Sequence, residues 1–202
     1  MNAKAPDSTV RHLGTAVVYT LITVVLLGFV YPLVMWALSA ALFPFQANGS
    51  LVQDNGKVVG SAIVGQLFKK PQYFHPRPSA AGKDGYDPTQ TGGTNLGPTS
   101  KKLVDTTKAT IAAVEKENPD ARGPVPMDLV TSSASGIDPD ISPEAATYQA
   151  PRIAKARGIA VADVDALIAA HVHGRDLGVL GEPRVNVLEV NQALDASARK
   201  NP

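Results

Sequence analysis

LGTAVVYTLITVVLLGFVYPLVMWALSAALF, running from Leu13 to Phe43, decides how the rest of the chain is read, because no Asp, Glu, Lys or Arg occurs between Arg11 and Asp54. A transmembrane helix needs roughly 20 predominantly apolar residues to cross about 30 Å of hydrocarbon at about 1.5 Å per residue. Leu13 to Tyr31 nearly meets that requirement alone, and the apolar residues beyond it permit tilt. Pro32 removes one helical hydrogen bond, so a bend is expected near Tyr31, or a break where the helix leaves the bilayer core. Trp36, Phe43 and Phe45 fall where aromatic side chains anchor a span at the outer interface. The chain therefore divides into a short N-terminus (1–12), a transmembrane helix with its interfacial end (13–43) and one domain (44–202).

A cleaved signal peptide is the competing reading of the same stretch. It would carry about 7 to 15 apolar residues and then a small-residue cleavage site. Ser39-Ala40-Ala41 could supply that site, but the apolar run before it is too long and aromatic residues continue past it, so a retained anchor is expected. Lys4, Arg11 and the N-terminal amine precede the span, opposed by Asp7, and no Lys follows until Lys57. That asymmetry keeps the N-terminus inside and places the domain outside, on the extracytoplasmic face. Lipid offers no hydrophobic drive for helix association, so a partner helix would be recognised by close packing and polar contact. Gly14, Thr20 and Thr23 are the candidates for that packing.

Beyond the span roughly 155 residues remain, enough for one domain with a real core. Nineteen Lys and Arg oppose 18 Asp and Glu, without the clustered basic face of a nucleic-acid-binding protein. The absence of cysteine excludes disulfides, thiolate metal sites and a cysteine nucleophile. With 17 Gly, 16 Pro and 5% aromatic residues, the composition points to a loop-rich α+β domain.

In chain order, Asn48-Gly49 marks a turn, and Asp54-Asn55-Gly56 joins two arms, 50–53 and 58–64, of a β-hairpin whose second arm could continue to Gln66 and Phe68. Pro71 to Pro98 is a long loop of Pro, Gly, Tyr and small polar residues, of the kind that is functional or disordered. Its Tyr73, Phe74, His75 and Arg77 are residue types that anchor interfaces, and they are the candidate partner contacts. Leu103, Thr107, Thr110, Ile111 and Val114 recur at helical spacing between Ser100 and Glu117. Val125 to Thr131 reads as a short strand. A second helix is expected from about Ser142 to Arg157, with Pro143 in its first turn, a kink at Pro151 and Gly158 at its end. A third helix spans Val161 to Val172, and the chain closes with Arg184 to Asn191 as a strand followed by a helix, or as one helix.

Several fragments imitate active sites. His171 and His173 are two apart, a spacing that sends them to different helix faces and does not converge on a metal. Gly92-Gly93-Thr94-Asn95-Leu96-Gly97 has dinucleotide-like glycine spacing without a βαβ setting. Ser197 and Lys200 fit Ser-x-x-Lys at a charged terminus. The fuller alternative is a membrane-anchored serine hydrolase using Ser132, Ser133 or Ser135 with His75 and Asp138 or Asp140, although the Gly-x-Ser-x-Gly elbow is missing and capping or turn serines explain the cluster. The residues alone assign no catalytic group, no metal site and no bound cofactor.

The ordered blocks Tyr31-Pro32-Leu33, Gln46-Ala47-Asn48-Gly49-Ser50-Leu51, Gly60-Ser61-Ala62-Ile63-Val64-Gly65-Gln66, Tyr73-Phe74-His75-Pro76-Arg77-Pro78-Ser79-Ala80 and Leu129-Val130-Thr131-Ser132-Ser133-Ala134-Ser135-Gly136-Ile137-Asp138 resemble the small C subunit of the Kdp-type bacterial potassium-transporting P-type ATPase. The resemblance continues through Gln149 to Arg157 and Val185 to Asn191, with Pro76 where the family usually has Gly and Thr94 where it has Ser. It implies a noncatalytic subunit of the bacterial inner membrane, beside a channel-like potassium-binding subunit and a P-type ATPase subunit, with ATP and potassium handled by the complex. Proposed family roles are assembly, a cap at the potassium entrance, and a catalytic chaperone that raises ATP affinity through a Gln-x-x-Arg signature, here Gln149 and Arg152. The topology read above puts those two residues across the membrane from cytoplasmic ATP, which leaves an indirect effect. Alkaline phosphatase fused after Asp195 should be active and an N-terminal fusion inactive; the opposite pair of results would reverse the topology.

Overall fold

The computed structural model describes residues 9–200. Lys4 and Asp7, which contribute to the orientation reading, lie outside the described residues, as does the side chain of Lys200. The chain forms two compact units, one ending at Ser50 and one beginning at Leu51.

In the first unit, helix α1 (Thr9–Val25) passes through a π turn (Leu26–Val30) into α2 (Tyr31–Leu42), and a single turn, α3 (Pro44–Ala47), follows. At Pro32 the helix takes up this wider turn and does not break. Pro32 has no N–H, and its ring would press on the carbonyl four residues earlier; a π turn, in which the Tyr31 N–H reaches back to the Leu26 carbonyl, accommodates it without breaking the helix. The result is one helical stretch of 34 residues, Thr9–Leu42, long and apolar enough to cross a membrane. Gly14 and Thr23 are nine residues apart and so lie about 180° apart around α1, whereas Thr20 and Thr23 share a flank. The Thr23 hydroxyl donates to the Tyr19 carbonyl at 2.6 Å. These three residues do not form a single seam.

The second unit opens with the expected hairpin, β1 (Leu51–Asp54) against β2 (Lys57–Ser61). Asn55 and Gly56 both take positive φ, 50° and 76°, as a two-residue turn between twisted strands requires. The second arm stops at Ser61 and does not reach Gln66 or Phe68, because the chain turns with the Val64 N–H on the Ser61 carbonyl. From there to Ser100 it forms neither a helix nor a paired strand segment, yet it is ordered by side-chain and loop-to-loop hydrogen bonds. The Gly65 N–H donates to the Ile137 carbonyl at 2.8 Å and the Gly92 N–H to the Ser135 carbonyl at 2.8 Å.

Helix α4 (Lys101–Glu117) starts as expected, the Ser100 hydroxyl accepting from the Leu103 N–H. The strand expected over Val125 to Thr131 is instead a 3-10 turn, Met127–Leu129. Pro124 and Pro126 deprive alternate positions of the N–H a ladder needs, and Asp128 is drawn into the Ser142 N–H and hydroxyl at 2.7 and 3.1 Å. Ser142 in turn caps α5 (Pro143–Arg157), which ends at Gly158 with φ 68° and contains Pro151 without interruption. Helix α6 (Val161–Ala170) ends before Val172, which leaves for strand β4 (Val172–His173). Strands β3 (Asp140–Ile141) and β4 flank β5 (Arg184–Asn186) in an antiparallel sheet, and α7 (Val187–Lys200) follows β5 directly. The core lies among α5, α6, α7 and β5, around Ile153, Val164, Ile168, Val185, Val190 and Leu194, with Leu129 and Phe74 inserted from the loops.

The loop's close approach is tested at Gly65, where an added Cβ would press on the Asp138 carbonyl and sit 2.6 Å from Cε1 of Tyr86. Gly65→Ala should destabilise the full chain by about 1–3 kcal/mol. Gly92→Ala, with nothing within 4 Å of the new atom, should change stability by less than about 0.5 kcal/mol. Equal thermal shifts for the two would show that the loop is not packed at Gly65.

Candidate functional site

Residues Pro71 to His75 run without a strand neighbour; the Tyr73 N–H closes a turn on the Lys70 carbonyl, and all five carbonyls are satisfied by side chains of α5 and α7. The carbonyls of Pro71 and Tyr73 accept from Nη1 of Arg152, that of Gln72 from Nε of Arg157, that of Phe74 from Nδ2 of Asn191, and that of His75 from Nε2 of Gln149. Two carboxamides do double work here. The Phe74 N–H donates to Oδ1 of Asn191 at 2.8 Å and the His75 N–H to Oε1 of Gln149 at 2.8 Å. Each amide side chain thus exchanges both hydrogen bonds with one peptide residue, as a neighbouring strand would.

Gln149 and Arg152, three apart on α5, are both buried. Nη2 of Arg152 donates to Oε1 of Gln149 at 2.7 Å, and its Nε donates to Oδ1 of Asn118 at 2.9 Å. Asn118 is the C-cap of α4, so Arg152 ties α5, the end of α4 and the Pro71–His75 segment together. Burial pulls the Arg152 pKa below the ordinary arginine value, and the nearby Glu117 carboxylate opposes that shift. One turn on, Arg157 lies 5.1 Å from the centre of the Tyr73 ring and pairs with Asp195 at 2.8 Å, while the Tyr73 hydroxyl donates to the other Asp195 oxygen at 2.9 Å.

Of the candidate contact residues, Phe74 has 0% of its surface exposed and leaves nothing for a partner to touch, since its ring fills the core. Tyr73, His75 and Arg77 are half-buried. His75 faces Glu117 at 3.2 Å and the Lys70 carbonyl at 3.0 Å. Arg77 pairs with Asp138 at 2.8 Å; among the described residues its Nε is the one buried side-chain nitrogen or oxygen without a hydrogen-bond partner. His75, Arg77 and Gln149 line a cleft of about 300 Å³ with Lys69, Asp84 and Glu117. At its wall the Tyr86 hydroxyl donates to the Arg77 carbonyl, and burial, reinforced by Asp138, pushes the Tyr86 pKa well up.

The hydrolase constellation is not drawn together by these bonds. The Ser133 hydroxyl accepts from the Gly136 N–H and that of Ser135 from the Ile137 N–H, both turn bonds. Neither ring nitrogen of His75 is hydrogen-bonded to a serine, Asp138 holds Arg77, and Asp140 receives Nδ2 of Asn186. His171 and His173 bond the Leu167 carbonyl and Glu189 respectively. Among the described residues no group of three or more His, Asp or Glu could hold a metal ion.

The family model described as K+-transporting ATPase, c chain, matches residues 13–196. The chain belongs to the KdpC family. It is 56% identical over 182 residues to the potassium-transporting ATPase KdpC subunit of Myxococcus xanthus, covering 90% of this chain and 86% of that one. The corresponding subunit of Bradyrhizobium diazoefficiens is 51% identical over 201 residues, covering 94% and 99%. That of Koribacter versatilis is 49% identical over 188 residues, covering 93% and 95%.

The family resemblance singles out Gln149 and Arg152 as candidates; Asn191, Arg157 and Asn118, which bond the same segment or Arg152 itself, are not among them. The available signal was a polar residue on an apolar helical stripe: Gln149 among Ala145, Ala146 and Ile153, and Asn191 among Val187, Val190 and Leu194. Asn191→Asp, nearly isosteric, removes the donor to the Phe74 carbonyl and buries a charge. The full chain should lose about 3 kcal/mol at neutral pH, or roughly 6–12 °C in Tm. Burial raises the pKa of the new carboxyl, so the loss should shrink as pH falls and the neutral acid regains an O–H to donate. A Tm unchanged at neutral pH would show that the amide pairing contributes nothing.

Proposed function

We propose that this chain is a noncatalytic, single-span subunit of a potassium-transporting ATPase in the bacterial inner membrane, with its N-terminus inside and its folded domain outside. Its role is to support assembly of the channel-like and P-type subunits, and to bias the state of the pump. Family membership supports the setting, and the apolar helix Thr9–Leu42 supports membrane association.

The observation that carries the mechanistic reading is the inward orientation of the Gln-x-x-Arg signature. Gln149 is 1% exposed and Arg152 7%, and both are bonded to the Pro71–His75 segment. Residues so engaged act as a latch on that segment, and an effect on ATP affinity passes through the domain's shape and its partners. A subunit that binds one pump state more tightly shifts the equilibrium toward it, and linkage makes the ATP site feel that preference. Partner contact through this loop then falls to its half-buried members, His75 and Arg77 at the cleft and Tyr73 beside Asp195, with Arg77 able to serve only if Asp138 releases it.

A tagged full chain, extracted in mild detergent, should bring down two larger membrane proteins with potassium-stimulated ATPase activity. Recovery of a lone protein that cleaves esters, and loses that activity on Ser135→Ala, would contradict the proposal.

A further inference from the structure

The loop that joins β4 to β5 carries an apolar tip that nothing in the domain covers. Leu177 is 90% exposed, Val179 72% and Leu180 57%. Such exposure in a flexible loop would mean little, but this tip is built. The Asp176 N–H donates to the Leu180 carbonyl at 2.8 Å and the Leu180 N–H returns to the Asp176 carbonyl at 2.9 Å. Inside that closed pair, Val179 bonds Asp176 and Gly178 bonds Arg175.

The backbone at the tip is strained for the residue it holds. Leu177 has φ +54°, a left-handed conformation in which glycine or asparagine is at ease and leucine is not. Gly178 beside it, at φ +77°, shows the choice ordinary at such a turn. A bulky aliphatic side chain held outward at a strained position is the kind of feature that a fold retains where the side chain is used.

The charges at the base of the tip argue for what it meets. Arg175 is paired with Glu182, and Arg184 with Asp176 and Asp140. The rim is thus neutralised, with no surplus basic charge to draw the tip to anionic headgroups, and residues 174–183 include no Trp, Tyr or Lys to seat it in a membrane interface. A convex, rigid, aliphatic tip with a self-compensated rim is complementary to a concave, uncharged apolar pocket on a protein, and its preorganisation reduces the entropy lost on docking.

We propose that Leu177, Val179 and Leu180 form a docking knob that inserts into an apolar pocket on another subunit of the same ATPase. This rests on the subunit reading above, and the test separates the two. The full chain is co-expressed with its complex and the fraction retained after a detergent wash is measured for wild type, Leu177→Gly and Val179→Ser. Leu177→Gly is the decisive variant, because glycine relieves the positive φ while deleting the knob. Its thermal unfolding should be unchanged or higher, while retention falls by about tenfold, as for a central interface anchor. A purely structural role would instead leave retention alone. In parallel, p-benzoylphenylalanine in place of Leu177 should crosslink to one of the larger subunits.

Retention of Leu177→Gly within about twofold of wild type, or crosslinks only to lipid, only to a second copy of this chain, or to nothing, overturns the knob. A wild-type chain that brings down no partner at all overturns the subunit reading and the knob with it.

Discussion

Five consecutive peptide carbonyls, Pro71 to His75, accept hydrogen bonds from side chains on two helices. That is the constraint on which the domain depends. An irregular segment packed against a core cannot leave its buried N–H and C=O groups unpaired without a large cost. A neighbouring strand is the usual remedy. Here α5 and α7 supply it with two carboxamides and two guanidinium groups. A carboxamide is suited to the task because it donates and accepts in one plane, and a guanidinium because its fork reaches several acceptors at once. The segment can then be held against helices, and Phe74 becomes part of their core.

The same constraint changes the meaning of the Gln-x-x-Arg signature. On an exposed helix face, a glutamine and an arginine one turn apart would read as a ligand contact. In this fold Arg152 reaches the Pro71 and Tyr73 carbonyls, Asn118 and Gln149, and Gln149 spans His75 and the carbonyl of Ala145. Substituting either residue would therefore disturb the loop, the cleft beside it and the end of α4 together. An altered ATP response in such a variant would follow from a changed domain, with no need for a nucleotide at the signature.

Much of the architecture was legible because local signals agreed with one another. Uncharged length marked the apolar helix, Asn55-Gly56 the hairpin, Ser100 and Ser142 the helix starts, and Gly158 a helix end. What was not legible was long-range. The apolar run at Val125 has the composition of a strand, but its prolines and the bonds from Ser142 to Asp128 set it as a 3-10 turn. The aromatics of the Pro71 to Pro98 loop suggested an outward face, whereas Phe74 points inward, since nothing local to the loop announces Asn191, 117 residues away. Pro32 and Pro151 signalled irregularity, but the chain absorbs the first in a π turn and the second within a continuous helix. The apolar tip at Leu177 leaves no mark in the sequence pattern, because its significance lies in exposure and in a positive φ, neither of which periodicity records.

Hydrogen exchange of the Phe74 and His75 backbone amides in the full chain tests the latch most directly. Both N–H groups donate to buried carboxamides, so they should exchange as slowly as the amides of Ile153 and Ala154 in the middle of the core, and opening should be global. Exchange at the rate of an exposed loop, with Ile153 still protected, would show that the segment opens on its own and that Gln149, Arg152 and Asn191 do not hold it.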